Sequence, residues 1–272
     1  MLHICLAPFG TMSNAWRTRD VKVSDISPFC ITQFVVSDHE QVWINTTVSS
    51  WHNKFHVAMN EEKRVGHRTD YVKGTLLEDT LDNDPIRLFD EWLLAAEGTG
   101  MADHNAMALA TTGSASISCR IVLLRSFDKR GFVFYTNYNS RKAMDVERDP
   151  RAALTFFWPS LERQVRIEGK CDRIDPSESD AYFASRPRPS QIGAWSSDQS
   201  RIVESRSALE DRYSRWEERF KDLDVPRPEH WGGIRVKPAR IEFWHGRSDR
   251  MHDRIAYEHF ADGTWRRMRL QP

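Results

Sequence analysis

Hydrophobic side chains change their spacing along this chain, and the changes mark out its elements. The segment 84–97, DPIRLFDEWLLAAE, has Asp84 at the N-cap position and Pro85 at the first helical position of a predicted helix. Its apolar residues share the spacing of one helical face: Ile86, Phe89, Leu93 and Ala96. This segment therefore predicts an amphipathic helix.

Eight later segments are rich in Val, Ile, Phe and Tyr, which is typical of β-strands. They are residues 105–111, 118–125, 131–137, 152–158, 162–174, 234–246, 254–260 and 264–270. The turn from Asp128 to Gly131 predicts a hairpin between the second and third, and Asp262-Gly263 predicts another between the last two. Because closure removes exposed strand edges, these strands favour a closed or nearly closed, mostly antiparallel barrel. The expected fold class is mainly β with flanking helices (α+β).

Two stretches between the fifth and sixth strand segments differ from each other. Residues 198–220 place apolar side chains among many charges and predict a long helix with a solvated face, its apolar positions being Ile202, Leu209, Tyr213, Trp216 and Phe220. Residues 185–200, SRPRPSQIGAWSSDQS, follow neither helical nor strand spacing. We therefore predict a loop there.

Residues 1–65 show no sustained periodicity, which predicts a poorly ordered N-terminal extension followed by one domain over 66–272. The first acidic residue is Asp20, so mitochondrial targeting stays open as an alternative for this stretch. Without it, the expected location is the cytoplasm.

Composition excludes several classes of function. Lys plus Arg and Asp plus Glu are both 39, so the chain has no net field to gather nucleic acid or an acidic membrane. No run approaches eighteen apolar residues, the length that spans a bilayer. The four cysteines lie far apart without a CxxC pair, and we expect neither a disulfide framework nor a metal site.

The usual catalytic motifs are missing, and the candidate chemistry lies in clusters of arginine with amide and hydroxyl residues. In TNYNSRK (136–142), Ser140, Arg141 and Lys142 open a predicted helix, whose free N–H groups and partial positive charge favour a phosphate. The alternative is a Ser-capped surface helix with two solvated cations.

The segment CRIVLLR places Arg120 on the same face of a strand as Val122 and Leu124. If that face is buried, the arginine needs an anionic partner; otherwise Arg120 is exposed at a strand end. Gln164 and Arg166 likewise share one strand face, for which solvent is the ordinary explanation.

In RSDRMHDR, Arg250 and His252 stand two apart, so in an extended chain their side chains project the same way. A cation beside a group that titrates near neutrality suits a small anionic substrate, although such a pair in a polar loop often has no role. Together the clusters indicate a large ligand with more than one phosphate-like group and a planar ring.

Several long motifs occur in a familiar order: RIVLL, FYTNYNSRKA, RQVRIEG, YFASRPRPSQIGAWSSDQS, WGGIRV, IEFWHG, RMHDR and WRRMRLQP. From about Arg68 to Pro272 the chain resembles the pyridoxamine/pyridoxine 5'-phosphate oxidase family. The resemblance implies an FMN-binding split β-barrel, with a C-terminal dimerisation region and two flavin sites built across the interface of a homodimer.

The activity implied by the resemblance is oxidation of pyridoxamine 5'-phosphate or pyridoxine 5'-phosphate to pyridoxal 5'-phosphate. In that family a hydride passes to flavin N5 and the electrons reduce O2 to hydrogen peroxide. Two alternatives stay open: a weakly active or inactive duplicate that binds FMN or pyridoxal phosphate, and another flavin-dependent reductase on the same barrel.

Site residues carry over by motif. The implied FMN contacts are Arg120, Ile121, Val122, Leu123, Arg125, Tyr135, Thr136, Ser140, Arg141, Lys142, Gln164, Gln199, Ser200, Trp244 and Arg254. The implied substrate contacts are Arg125, Tyr182, Arg186, Ser190, Arg250, Met251, His252, Arg68 and Tyr71, with Asp103 supporting a lid. Of these, Arg250 and His252 are the implied catalytic pair, over the pyridine ring.

The chain departs from the family pattern at three places. Arg125 stands where Lys is usual, which changes the geometry available to a phosphate. His245 replaces the usual Gln beside Trp244, which would weaken a flavin-side hydrogen bond or make it pH-dependent. The turn between Thr111 and Arg120 is one residue shorter than usual, and we expect only a local change there.

Overall fold

The computed structural model describes residues 34–37, 40–43, 70–113 and 116–272. The chain divides into two compact units, Met1–Arg68 and Thr69–Pro272. In the first unit, β1 (Phe34–Ser37) and β2 (Glu40–Trp43) pair as an antiparallel two-stranded sheet. The rest of the predicted extension, together with Arg68, lies outside the described residues. The poorly ordered extension and the substrate contact of Arg68 therefore stay predictions.

The second unit contains nine strands and five α-helices among its described residues. The strands are β3 (Ala106–Thr112), β4 (Ile117–Leu123), β5 (Ser126–Asp128), β6 (Gly131–Asn137), β7 (Arg151–Trp158), β8 (Arg163–Arg173), β9 (Trp231–His245), β10 (Asp253–His259) and β11 (Trp265–Leu270). The helices are α1 (Pro85–Glu97), α2 (Arg141–Arg148), α3 (Pro176–Ser185), α4 (Arg188–Ser196) and α5 (Arg206–Arg219). In this part of the chain, no helix combines the length and apolar character that crossing a membrane requires.

All nine strands belong to one antiparallel sheet that curls into a half-barrel. Its main order is β11-β10-β9-β8-β7-β3-β4, and β6 pairs with both β5 and β9. The long strand β9 changes partners along its length: residues 231–236 pair with β6, and residues 240–245 pair with β10. The predicted fold class, mainly β with flanking helices and antiparallel pairing, is confirmed.

A bulge in the β8–β9 ladder lets these long strands bend. The register shifts between Glu168 and Gly169, opposite Pro238, which has no N–H to donate. A Cβ at Gly169 would lie 2.0 Å from the Lys237 carbonyl oxygen, so only glycine fits this close approach.

Helix α1 closes one end of the core. Its N-cap Asp84 accepts a hydrogen bond from the Ile86 N–H at 2.9 Å, as the sequence predicts. Phe89 is fully buried and meets three strand aromatics edge-on, with Phe127, Phe132 and Phe156 centroids 4.9–5.1 Å away. The buried face also includes Leu88 and Trp92, which were not predicted, so it is wider than expected. Leu93, which was predicted on this face, is only half-buried.

Three local predictions are wrong. The segment 185–200 contains helix α4 instead of being all loop, because Ile192 and Ala194 pack into a second core cluster and the prolines stand where the first turn tolerates them. The helix predicted over 198–220 begins only at Arg206, where Ser205 accepts the Ala208 N–H, and Ile202 is fully exposed. The Asp128–Gly131 turn joins β6 to the unpredicted short strand β5, which separates it from β4.

Candidate functional site

A cavity of ≈ 770 Å³ lies between edge strand β4, strand β6 and the starts of helices α2 and α4. Five cations line it, and its described lining residues include no Asp or Glu. We call it the arginine cavity. Its lining is Ser118–Leu123, Arg125, Tyr135–Asn137, Arg141, Lys142, Tyr182, Arg186, Ser190, Gly193, Ala194, Ser197, Gln199, Ser200 and Trp231.

Arg120 is held at one end of the cavity by β3. Its guanidinium donates to the Leu109 carbonyl and the Thr111 and Ser118 hydroxyls, at 2.6–3.2 Å. The Asp145 carboxylate lies 3.7 Å away and also accepts the Thr111 hydroxyl at 2.8 Å. The anionic partner predicted for a buried Arg120 is therefore Asp145, on α2.

The start of α2 brings a hydroxyl and two cations to the same end. Ser140 is completely buried, and its side chain makes no capping bond to the helix. Lys142 Nζ donates to the hydroxyls of Thr136 and Ser140 at 3.2 and 3.3 Å. Burial, and then the charge of Arg120, lower the pKa of Lys142 to about 8. Arg141 is exposed, so this cation is accessible from solvent.

The opposite end of the cavity contains Arg186 on an aromatic support. Its guanidinium carbon lies 4.6 Å from the centre of the Trp231 ring, and its Nη1 is buried without a hydrogen-bond partner among the described residues. Burial lowers the pKa of Arg186, and the charge of Arg125 acts in the same direction. An anion bound here would accept a hydrogen bond from Nη1 and neutralise the charge of the guanidinium.

Two tyrosines complete this support. The rings of Tyr135 and Tyr182 stack at 3.8 Å, and Tyr135 stacks on Trp231 at 5.3 Å. Burial is the main reason that the pKa of Tyr135 rises to about 12, so its hydroxyl remains a hydrogen-bond donor at neutral pH. Ser190, on α4, is half-buried and lines the same cavity.

Gln199 and Ser200 reach the cavity from the segment after α4. The Gln199 side-chain oxygen accepts hydrogen bonds from the Thr136 hydroxyl and the Asn137 N–H at 3.1 and 3.4 Å. Ser200 adopts a φ of 72°. Seven lining residues are absent from the predicted contacts: Ser118, Cys119, Asn137, Gly193, Ala194, Ser197 and Trp231. The last five lie inside motifs that carry the family resemblance, and those motifs were the signal that could have found them.

The remaining described candidates lie away from the cavity, where β8, β9 and β10 run side by side. Trp244 pairs across the ladder with Gln164 and with Arg254. Its ring contacts Tyr71 and His252, with centroids 5.6 and 4.8 Å away. We call these five residues the Trp244 cluster.

Charge in the Trp244 cluster is already balanced. Arg254 donates to the Glu242 carboxylate at 2.9 Å and to the Gln271 carbonyl at 3.0 Å. Arg166 pairs with Glu168 and, at 3.4 Å, with the same Glu242. Contrary to the ordinary explanation, Arg166 is therefore not merely solvated.

The segment of Arg250 and His252 is not the extended chain that the sequence suggested. Ser248–Arg250 forms a 3-10 turn, in which Asp249 and Arg250 have φ of 54° and 60°. Arg250 and Met251 are exposed. His252 Nδ1 accepts the Arg247 N–H at 3.1 Å, which leaves the proton of a neutral ring on Nε2.

The three departures from the family pattern have different surroundings. Arg125 is exposed at the rim of the cavity. His245 is buried on the face of β9 opposite Trp244, with Nδ1 donating to the Gly246 carbonyl at 3.0 Å, and burial lowers its pKa. The short turn after β3 is closed by the Gly113 N–H, which donates to the Ser116 carbonyl at 2.9 Å.

Two remaining expectations concern Asp103 and metals. Asp103 has a φ of 52° and accepts the Ala106 N–H at 2.8 Å just before β3. Within the described ranges, no group of three His, Cys, Asp or Glu side chains is arranged to hold a metal ion.

The half-barrel with its cationic cavity defines a class, the split-barrel proteins with flavin-binding members. PhzG from Burkholderia lata, crystallised with tetrahydrophenazine-1-carboxylic acid, superposes with a TM-score of 0.68 at 31% identity, over 73% of this chain and 98% of that chain. A pyridoxamine 5'-phosphate oxidase-related, FMN-binding protein from Nostoc punctiforme has a TM-score of 0.57 at 15% identity, over 71% and 100%, and shares the fold.

The sequence comparisons narrow the class to one family. The family model described as pyridoxamine 5'-phosphate oxidase matches residues 97–220, and the pyridoxine 5'-phosphate oxidase C-terminal dimerisation region matches residues 231–272. The pyridoxine/pyridoxamine 5'-phosphate oxidase of Rubrobacter xylanophilus is 54% identical over 76% of this chain and 96% of its own. That of Synechocystis sp. is 50% identical over 75% and 96%. The chain belongs to the pyridoxine/pyridoxamine 5'-phosphate oxidase family.

Proposed function

We propose that this protein is an FMN-dependent oxidase that converts pyridoxamine 5'-phosphate and pyridoxine 5'-phosphate to pyridoxal 5'-phosphate, reducing O2 to hydrogen peroxide. With the amine substrate, the reaction also consumes water and releases ammonia. The observation that carries the proposal is the charge of the arginine cavity: five cations with no carboxylate in its described lining. Such a cavity suits two phosphate monoesters, one on the cofactor and one on the substrate.

The two cationic ends of the cavity divide between these phosphates. Arg120, Ser140, Arg141 and Lys142 would hold the FMN phosphate, since the start of α2 adds N–H groups and partial positive charge. Strand β4 is the last in the sheet order and among described strands pairs with β3, so its outer backbone edge at Ile121–Leu123 is available to the flavin. The chemistry supplied by FMN when bound is acceptance of a hydride and reduction of O2.

The substrate phosphate would bind at the other end. Arg186 offers its orphaned donor, and Tyr182, Ser190 and Arg125 surround the same place. This remote group would supply binding energy that orients the reacting carbon. Because Arg186 is supported by Trp231, little freedom is lost when the phosphate binds.

The Trp244 cluster, together with Arg250 and Met251 from the turn before His252, would cover the rings of both ligands. Gln164, Trp244 and Arg254 would contact the flavin, while Tyr71, Arg250, Met251 and His252 would enclose the pyridine ring. His252 would present Nε2–H to the substrate, because its Nδ1 already accepts a backbone N–H. The work of these residues would be to orient the substrate and exclude water.

We infer that each site takes residues from two copies of the chain. Trp231, in the cavity, and Trp244 stand at opposite ends of β9, thirteen residues and about 40 Å of strand contour apart. One cofactor can contact both groups if they come from two protomers of a homodimer. The family match over residues 231–272, described as a dimerisation region, supports this arrangement.

Purified protein supplied with pyridoxamine 5'-phosphate and oxygen tests the proposal. We expect a yellow protein that releases pyridoxal 5'-phosphate and hydrogen peroxide in equal amounts. The comparisons favour the oxidase over the binding-protein alternative. Bound FMN without product would overturn the oxidase and restore that alternative.

A further inference from the structure

A segment before α1, residues 70–76, which we call the strap, carries Tyr71 to the Trp244 cluster. The strap is held by Glu162, a residue that is 6% exposed and stands in the left-handed region with a φ of 55°. One oxygen of its carboxylate accepts the N–H groups of Val72 and Lys73, at 2.8 and 2.9 Å. Two charge-assisted bonds to consecutive amides fix the backbone directly after Tyr71.

The surface under the strap is shaped to receive it. A Cβ at Gly246 would lie 2.5 Å from Tyr71 Cγ, so a side chain there would displace the ring. A Cβ at Gly74 would lie 3.0 Å from His245 Nε2, which places the strap directly on the His245 ring. The Gly246 N–H donates to the Glu162 carbonyl at 2.8 Å, so the surface under Tyr71 is also fixed by Glu162.

Tyr71, so placed, meets the Trp244 cluster edge-on. Its ring centroid lies 5.6 Å from that of Trp244 and 5.7 Å from that of His252. The Tyr71 side chain has no hydrogen bond in the described residues, so its position depends on the backbone that Glu162 holds.

We propose that Glu162 is a positioning residue: its carboxylate fixes the strap so that Tyr71 closes over the ring of a phosphorylated pyridine substrate. The proposal rests on the proposed function. Since Tyr71 would contact the ring in the bound substrate and during reaction alike, loss of its position weakens binding more than turnover.

Hydrogen exchange of the flavin-free protein tests whether Glu162 holds the strap, and the measurement needs no catalytic activity. In Glu162→Ala we expect the amides of Val72 and Lys73 to exchange at least about 10-fold faster, because each loses its acceptor. The Leu76 amide is the internal control, since it donates to Asp253 at 3.0 Å and should keep its rate. Glu162→Gln retains an acceptor oxygen and should restore part of the protection. Unchanged exchange in Glu162→Ala overturns the proposal.

Kinetics test the consequence. In Glu162→Ala we expect KM for pyridoxine 5'-phosphate to rise about 10-fold, while kcat and FMN affinity change less than about 2-fold. Gly246→Ala should raise KM similarly by displacing Tyr71, and it replaces Glu162→Ala should that variant not fold. Glu210→Ala is the matched control, since it removes a carboxylate of the same kind from an exposed pair with Arg206 on α5. A fall in kcat without a rise in KM contradicts the proposal.

The two proposals fail in different ways. If the wild-type protein forms no pyridoxal 5'-phosphate, the proposed function is wrong. The role of Glu162 is then decided by the exchange rates and by the Kd for added pyridoxal 5'-phosphate, which rises in Glu162→Ala if Glu162 positions Tyr71 and stays unchanged if it does not.

Discussion

The arginine cavity and the Trp244 cluster both contain arginines, but the two regions treat charge in opposite ways. In the cavity, Arg186 has a buried donor without a partner, and the lining has five cations. In the cluster, Arg254 is already paired with the buried Glu242. Because a buried cation requires an anion, the charge of the cavity fits the proposed phosphates, and the paired charges of the cluster fit the proposed uncharged rings.

The difference follows from how the two regions are built. The cavity lies where strands end and helices begin, so backbone N–H groups and side chains converge on open space. The cluster lies on the continuous ladder of β8, β9 and β10, whose backbone groups are paired and whose side chains alternate between faces. Cross-strand neighbours such as Gln164 and Trp244 then form a flat lining.

The largest expected effect comes from removing Arg186, whose buried Nη1 has no hydrogen-bond partner among the described residues. Arg186→Ala should lower kcat/KM for pyridoxine 5'-phosphate about 100-fold, the loss of one or two charge-assisted hydrogen bonds. Steady-state kinetics of purified protein measure it. Arg188→Ala is the matched control, because Arg188 donates to the Phe220 and Leu223 carbonyls instead of lining the cavity. Equal losses of kcat/KM in both variants would show that Arg186 contributes no more to the reaction than an arginine outside the cavity.

The next largest effects should separate FMN binding at the cavity from turnover at Arg250, beside the Trp244 cluster. Arg141→Ala should raise the Kd for FMN about 10-fold, since it removes an exposed cation from the phosphate end. Arg250→Ala should instead lower turnover while the protein keeps its flavin. Flavin content per chain and kcat, measured on the same preparations, separate the two. Equal flavin loss in both variants would show that the regions do not divide the ligands as proposed.

A smaller effect should depend on pH. With a pKa of about 8, Lys142 is charged below that pH and loses its proton as pH rises through it. FMN affinity should therefore fall, by up to about 10-fold between pH 7 and pH 9. Titrations of flavin-free protein at several pH values measure it. Lys142→Met should bind FMN more weakly with a flatter profile, and a wild-type affinity that is level over this range would exclude the role of Lys142.

The smallest expected effect is at Arg125. Arg125→Lys keeps the charge at the exposed rim, so KM for the phosphorylated substrate should change less than about 3-fold. Arg125→Ala supplies the comparison. A large gain in kcat/KM from lysine would show instead that the arginine fits the substrate phosphate poorly.

Sequence reasoning was most successful where alternation is strong. The eight predicted strands lie within a few residues of β3, β4 and β6–β11, and the cap of α1 is at Asp84. Helix α4 was not predicted because few of its residues are apolar and because contacts with other elements stabilise it. The turn at Arg250 escaped because its positive φ values occur at non-glycine residues.

The candidate site was predicted as a set of residues but not as two regions. Motifs name residues without saying how far apart the chain places them, and only the pairing of β9 puts Trp231 and Trp244 at opposite ends of one strand. The charge balance was equally out of reach, because Glu242 and Arg254 meet only through strand pairing.

The position of the strap also matters for how the chain can be shortened. The boundary between the two units falls at Arg68 and Thr69, immediately before the strap begins. A protease cut on the N-terminal side of this boundary leaves Tyr71 and the amides held by Glu162 intact, whereas a cut after Lys73 removes all three. Few residues therefore separate a truncation that spares the strap from one that removes it.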